Sequence, residues 1–241
     1  MSRFYCPQPL EPGSEIELPT TVAHHLHVLR LAPGAPLRLF NGSGGEVQAE
    51  LSSIEKRRAT ARIQTWIGRE AELPYALTLA QALPEGSKMD WIIEKAVELG
   101  VAGVQPLAAA RSVVRLDAER AARRQQHWEG VIIAAAEQCG RNRLAHLAPL
   151  SKLQDWLALP HLHKRVLLSP RAEQSLAAWA RHQPPQALSL LVGPEGGFSD
   201  AEEAAALAAG AIALSMGPRV LRTETAGLAA LAMLNAHWSP A

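Results

Sequence analysis

The stretch Leu190-Leu191-Val192-Gly193-Pro194-Glu195-Gly196-Gly197-Phe198-Ser199-Asp200-Ala201-Glu202 carries three signals in succession. An apolar run ends at Val192, a glycine-rich turn follows, and Ser199 with Glu202 has the spacing of a capping box, in which each side chain satisfies an unpaired amide of a helix's first turn. A buried strand leading through a tight turn into a capped helix is the repeating unit of a parallel α/β sheet. Glycines in such a turn let backbone groups approach a ligand closely, and ligands bind at the C-terminal ends of strands in these sheets. A plain strand-to-helix connection is the alternative reading of the turn taken alone.

The same rhythm extends on both sides. Apolar runs at Ala76 to Leu83, Val104 to Leu107, His146 to Leu150, Arg165 to Ser169, Ala187 to Gly193 and Ala211 to Ser215 alternate with helical segments, which predicts a parallel sheet covered on both faces. Ser87 to Leu99 puts Met89, Ile92, Ile93, Ala96 and Val97 on one helical stripe, with Gly100 as its stop. Ser151 with Gln154 has a second capping-box spacing. The stretch Ser215-Met216-Gly217-Pro218-Arg219-Val220-Leu221-Arg222-Thr223-Glu224-Thr225 follows a buried run and precedes a helix over Ala226 to His237. It sets two arginines at a helix N-terminus, which already attracts anions. An arginine paired to a neighbouring carboxylate, with ordinary threonine capping, is the competing explanation.

Before Pro74 the pattern differs. Leu37 to Phe40, Glu46 to Leu51 and Ala59 to Trp66 read as strands, and Asn41-Gly42-Ser43-Gly44-Gly45 is a hairpin signal between the first two. Val47, Ala49 and Leu51 alternate with Glu46, Gln48 and Glu50, so one face is expected to be buried and the other solvated. Residues 1–72 are thus expected to form a small β-rich domain, a barrel with one short helix near Ala23 to Arg30, and residues 73–241 an α/β domain.

In the 241 residues, 24 Lys and Arg face 23 Asp and Glu, a net charge of +1, so bulk charge does not drive binding to nucleic acid and any such partner must meet a local patch. Cys6 and Cys139 are far apart and form no redox or zinc motif, which suits a reducing compartment. No signal-like or membrane-length apolar run is present, and a cytoplasmic protein is expected. His24, His25, His27, His161 and His163 lack the carboxylate or thiol partners of a metal set, so no metal is expected. There is no P-loop and no GxGxxG after a strand.

Leu191 to Phe198, Met216 to Thr225, Glu137-Gln138-Cys139-Gly140-Arg141 and Lys88 to Gly100 together resemble the ribosomal RNA small subunit methyltransferase E family. The resemblance reaches His25, Val28, Leu29, Arg30, Gly34 and the Phe40-Asn41-Gly42 turn, and so covers nearly the whole chain. It implies a PUA-like β-barrel followed by an α/β SPOUT methyltransferase domain with a C-terminal trefoil knot. It also implies a homodimer, S-adenosylmethionine as methyl donor, no metal, and methylation of uridine N3 in 16S ribosomal RNA. The donor would lie among Leu168, Ser169 and Pro170, the loop Gly193, Glu195, Gly196 and Gly197, and the segment Leu214, Met216, Gly217, Leu221 and Thr223. A branched side chain at Gly196 is expected to block that site.

Uridine N3 is nucleophilic only once its proton leaves, so the enzyme must align methyl and N3 and assist a deprotonation. Arg222 is the first candidate, either stabilising the uracil anion or gripping the donor carboxylate. Glu224 or Glu195 is the candidate proton acceptor, with a structural loop role open for each. Candidate RNA contacts are Arg3, His25, Arg30, Arg111, Arg115 and Arg141. Residues 111–143 hold seven arginines against four carboxylates, and for Arg120, Arg123 and Arg124 a solvated helix face and phosphate contact are both open. Charge balance in both domains points to an assembled small subunit as the substrate. A non-catalytic RNA-binding assembly factor and a methyltransferase of the same fold acting on another base or on transfer RNA are the rivals.

Overall fold

The computed structural model describes residues 2–160 and 163–238, so His161 of the candidate histidines lies outside the described residues. The chain divides into one unit formed by Met1–Glu72 with Ala136–Leu144 and another formed by Leu73–Ala135 with Ala145–Ala241. Residues 136–144, inside the expected 73–241 domain, thus pack with the first unit. The cause is a set of polar contacts between positions remote in sequence. Arg3 donates to the carbonyls of Ala136 at 2.8 Å and Arg141 at 2.6 Å, and the Tyr5 amide donates to the Glu137 carboxylate at 2.8 Å.

The first unit contains β1 (Ser2–Tyr5), β2 (Glu15–Glu17), α1 (Thr20–Val28), β3 (Pro36–Phe40), β4 (Glu46–Ile54) and β5 (Ala59–Ile67). Its sheet order is β1-β3-β4-β5-β2, with β1 parallel to β3 and the remaining pairs antiparallel. No ladder joins β1 to β2 among the described residues. Val47, Ala49 and Leu51 are fully buried, as their alternation predicts, in a core shared with Phe4, Leu26 and Leu37. Glu46 departs from the pattern. It is buried because its carboxylate meets the Arg3 guanidinium at 3.2 Å.

The second unit runs β6 (Leu77–Ala82), α2 (Lys88–Glu98), β7 (Gly103–Ala108), α3 (Ala118–Cys139), β8 (His146–Leu147), β9 (Ser151–Lys152), α4 (Leu153–Ala158), β10 (Lys164–Leu168), α5 (Leu176–Ala180), β11 (Leu188–Val192), α6 (Asp200–Ala208), β12 (Ile212–Leu214) and α7 (Thr223–Trp238). The last four residues of α3 belong to the first unit. All pairings in this sheet are parallel, in the order β12-β10-β11-β6-β7-β8, with β9 also on β7. Helix α2 buries the expected stripe of Met89, Ile92, Ile93, Ala96 and Val97. Each of the larger side chains contributes about 1.5–3 kcal/mol of burial free energy. Both bonds of the Ser199–Glu202 capping box are made. The Ser151 cap is not: Ser151 pairs with Leu107 in the sheet, and the N-cap of α4 is Lys152, which makes no side-chain cap bond. The other end of α4 is held by Arg165, whose guanidinium donates to the carbonyls of Leu157, Trp156 and Leu159 at 2.8, 2.9 and 3.2 Å and stacks on Trp156.

After β11 the chain jumps past β10 to place β12 at the sheet edge, and α7 then returns over β11, β6 and α2. Both ends of the segment between β10 and α5 hold the chain leaving β12. The Ser169 amide donates to the Leu214 carbonyl at 3.0 Å, while Ser215 donates to Gln174 and accepts from Leu176, each at 2.9 Å. This return is in keeping with the C-terminal knot implied by the resemblance. It gathers the ends of β10, β11 and β12 around one hollow.

Candidate active site

That hollow has a volume of about 420 Å³, within the range of about 300–1,000 Å³ usual for small-molecule sites. Of the residues expected around a donor, Leu168, Ser169, Pro170, Gly193, Glu195, Gly196, Gly197, Met216, Leu221 and Thr223 line it. Leu214 and Gly217 do not. Leu214 is buried inside β12, its carbonyl taken by Ser169. Val192, Pro194, Phe198, Glu203, Val220 and Ala226 line it as well; Glu203 and Ala226 read locally as ordinary helix residues.

The glycine loop is braced on several sides. Arg111, one of the expected RNA contacts, is exposed and donates from Nη1 to the carbonyls of Gly196 at 2.9 Å and Phe198 at 3.3 Å, which braces the loop. The amide of Ala110 donates to Glu202 at 2.7 Å, tying the same segment to the start of α6. Arg171 pairs with Asp200 at 2.7 Å and Glu203 at 2.9 Å, which anchors the turn after β10 to that helix end. A Cβ at Gly193 would lie 2.9 Å from the Phe198 nitrogen and 3.0 Å from Gly197 backbone atoms. At Gly196 it would meet only the Arg111 side chain, at 3.4 Å, so the tight position is Gly193 rather than Gly196.

Beneath the loop runs a buried relay that the apolar appearance of β6 conceals. Gln81, with no exposed surface, donates from Nε2 to the Thr223 hydroxyl and to the Ala82 carbonyl, both at 2.9 Å. Thr223 in turn donates to the Gly193 carbonyl at 2.6 Å. One chain of hydrogen bonds thereby couples the centre of the sheet, the start of α7 and the glycine loop. The Gln81 Oε1, buried beside these bonds, has no hydrogen-bond partner among the described residues, so the relay is held from its donor side only.

The two candidate bases converge on one cation. Lys88 Nζ lies 2.5 Å from Glu195 Oε1 and 3.9 Å from Glu224 Oε2, and the Glu85 amide also donates to Glu195 at 3.1 Å. Burial pushes the Glu195 carboxyl up, but the Lys88 ammonium and backbone amides outweigh it and hold it below the usual carboxylate range. A carboxylate so engaged is a poor proton acceptor. Glu224 does not line the cavity. Because Glu195 is depressed, its contribution to stability is complete above the ordinary glutamate pKa of about 4.3 and is lost as pH falls through its lower folded value. Glu195→Gln is therefore expected to lose less stability than the parent between about pH 5 and pH 3, measured by urea unfolding at each pH.

Arg219 and Arg222 also line the cavity, are exposed, and form no ion pair or side-chain hydrogen bond among the described residues. The Arg222 carbonyl accepts the amides of Thr225 and Ala226, so the residue starts α7 while its guanidinium stays free. Burial, with Glu137 nearby, pushes the Cys6 thiol up to about 12, which makes it inert as a nucleophile. No three metal-ligating side chains gather among the described residues.

Two of the expected RNA contacts are corrected. Arg3 is committed to Glu46, the carbonyls of Ala136 and Arg141 and the Asn142 side chain, and it stacks on Phe40. Arg141 is buried at 3% exposure against Glu72, its Nη2 2.5 Å from the carboxylate. Neither is offered to a phosphate. His25 and Arg30 are exposed in the first unit, and Arg115 is exposed in the second.

A glycine-lined cavity at the strand ends of a parallel sheet is where α/β proteins bind small molecules. Comparison with known proteins defines the class further: residues 71–235 match the RNA methyltransferase domain and residues 18–64 the RNA methyltransferase PUA domain. The Ribosomal RNA small subunit methyltransferase E of Bacillus subtilis (strain 168) is 32% identical over 236 residues, spanning 95% of this chain and 92% of the relative. Its counterpart from Neisseria gonorrhoeae, solved bound to S-adenosyl methionine, superposes with a TM-score of 0.93 at 39% identity, covering 99% of this chain and 98% of that one. A Legionella pneumophila protein solved with SAM as its bound cofactor gives a TM-score of 0.90 at 36% identity over 97% and 96% of the two chains. The chain belongs to the ribosomal RNA small subunit methyltransferase E family. Its architecture is a PUA-like N-terminal domain followed by an α/β methyltransferase domain of the SPOUT kind.

Proposed function

We propose that this chain transfers a methyl group from S-adenosylmethionine to N3 of one uridine in 16S ribosomal RNA. The observation that carries the reading is the cavity shared by the Gly193–Gly197 loop and the Met216–Thr223 segment, with two unpaired arginines on its wall. Its residues fit the donor. Leu168, Pro170, Val192, Phe198, Met216, Leu221 and Ala226 offer apolar surface for an adenine. The close backbone packing at Gly193 leaves main-chain groups, rather than side chains, to contact the polar edges. When bound, the donor supplies an activated, electrophilic methyl group.

The protein's part is then alignment and charge. Arg222 presents a fixed fork of donors to the uracil oxygen that gains charge as the N3 proton leaves, and so favours the anion that attacks. Glu195 is spoken for by Lys88, and Glu224 stands behind the same lysine outside the cavity wall. The proton accordingly passes to water at the cavity mouth. Arg219 flanks the same opening. His25, Arg30 and Arg115 remain as RNA contacts, and the enzyme works as a cytoplasmic homodimer.

The small net charge of +1 favours recognition of an assembled particle, whose shape adds contacts that charge does not provide. Labelled donor incubated with small subunits from a strain lacking this activity is expected to transfer label to their 16S RNA, and much more slowly to the protein-free RNA. Equal rates on the two substrates would contradict particle recognition, and no label in either would remove the enzymatic reading.

A further inference from the structure

The second unit carries another concavity, which shares no wall residue with the first. It is an open cleft of about 550 Å³ whose lining includes Arg115, Arg120, Arg123, Arg124 and His127, two apolar residues and no carboxylate. Four of these lie on α3 at positions 120, 123, 124 and 127, the spacing that puts side chains on one helical face. At 1.5 Å per residue the row is about 10 Å long.

The charges in the row are not all cancelled. Arg120 pairs with Asp117 at 3.5 Å and Arg123 with Glu119 at 3.1 Å, all four groups exposed. Exposed pairs of this kind are weak and yield readily to a stronger partner. Arg115 and Arg124 have no ion pair or side-chain hydrogen bond among the described residues. His127 is held differently. Its Nε2 lies 2.8 Å from Asp90, whose other oxygen accepts the indole N–H of buried Trp128 at 3.0 Å, so this imidazole is a fixed wall.

We infer that this cleft binds the phosphodiester backbone of the RNA substrate, with Arg115 and Arg124 as the primary phosphate contacts. Guanidinium forks match phosphate oxygens in pairs, and a concave row of them fits a chain that repeats its negative charge along its length. The near-neutral sequence gives the same answer from the other side. A protein of net charge +1 must meet a polyanion locally, and this cleft gathers four arginines, two of them without an ion pair among the described residues. The inference rests on the reading of RNA as substrate, and its test is separable from that reading.

The experiment measures binding of fluorescently labelled protein to small ribosomal subunits without donor, at several salt concentrations, with methyl transfer followed in parallel. Arg115→Glu/Arg124→Glu is expected to weaken binding by about tenfold or more and to reduce the salt slope by about one for each phosphate that the variant no longer neutralises. Donor affinity by calorimetry should stay within about twofold of the parent, which shows that the variant is folded. Arg181→Glu, a charge reversal at an exposed position beyond α5, should leave binding unchanged. Parent-like affinity and salt slope in the folded double variant would overturn the assignment. So would a weaker affinity for the particle with no change for protein-free 16S RNA, since the cleft would then face a ribosomal protein. Absence of methyl transfer by the parent would count against the enzymatic reading, whereas the binding comparison judges the cleft.

Discussion

Arg222→Ala is expected to lower kcat by about 10²–10³-fold, the loss typical of removing one donor aimed at developing charge, while the melting temperature and donor affinity stay close to the parent's. The expectation follows from the position of the side chain. Arg222 lines the cavity, is exposed, and holds no partner that its removal would leave unpaired. Its structural duty at the start of α7 is performed by its backbone carbonyl, which alanine keeps. The same account fixes the pH profile. With the proton passing to water and no free carboxylate on the wall, kcat/KM should rise through the neutral range and beyond, instead of reaching a plateau above a carboxylate pKa. Near-normal turnover in the variant would remove Arg222 from the chemistry. A donor affinity reduced as much as kcat would move it to the donor's carboxylate.

The second large effect is expected at Gly193. Gly193→Ala drives a methyl group into the backbone of Gly197 and Phe198 at 2.9–3.0 Å, where no side-chain rotation relieves the overlap. Forcing that loop apart costs about 1–3 kcal/mol, which lowers donor affinity about 5- to 150-fold. It also pulls the Gly193 carbonyl from Thr223, whose hydroxyl is fixed in turn by Gln81. Gly196→Ala meets only the movable Arg111 side chain at 3.4 Å and should bind donor within a few-fold of the parent. Calorimetry on the two variants checks the order. Equal affinities would mean that the loop is not held as tightly as its hydrogen bonds indicate.

Features set by neighbours in sequence were legible before any coordinates. The apolar stripe of α2 and the capping box at Ser199 depend on spacings of three and four residues, and the alternation in β4 on a spacing of two. The glycine loop between an apolar run and a capped helix located the cavity for the same reason. What could not be read depends on partners far along the chain. Arg3 and Arg141 looked like surface cations because nothing local identifies Glu46 and Glu72 as their partners, 43 and 69 residues away. Arg111 likewise found its carbonyls 85 and 87 residues on. Ser151 had the pattern of a cap, yet sheet pairing with Leu107 claimed it. Gln81 sits in an apolar run where a single polar residue carries no signal, although its partner Thr223 lay within a motif already singled out. The carboxylates of Glu195 and Glu224 suit a base by residue type alone, and the α2 lysine that both approach lies more than a hundred residues away, where no local pattern points to it.

The central claim is the identity of the methylated atom. Small subunits from cells lacking the activity, treated with the protein and donor, can be digested to nucleosides and resolved by mass and retention. The account predicts one new nucleoside, uridine methylated at N3, at a single position in 16S RNA and formed about 10²–10³-fold more slowly with Arg222→Ala. A methyl group on a ribose hydroxyl, on another base, or only in transfer RNA would contradict it.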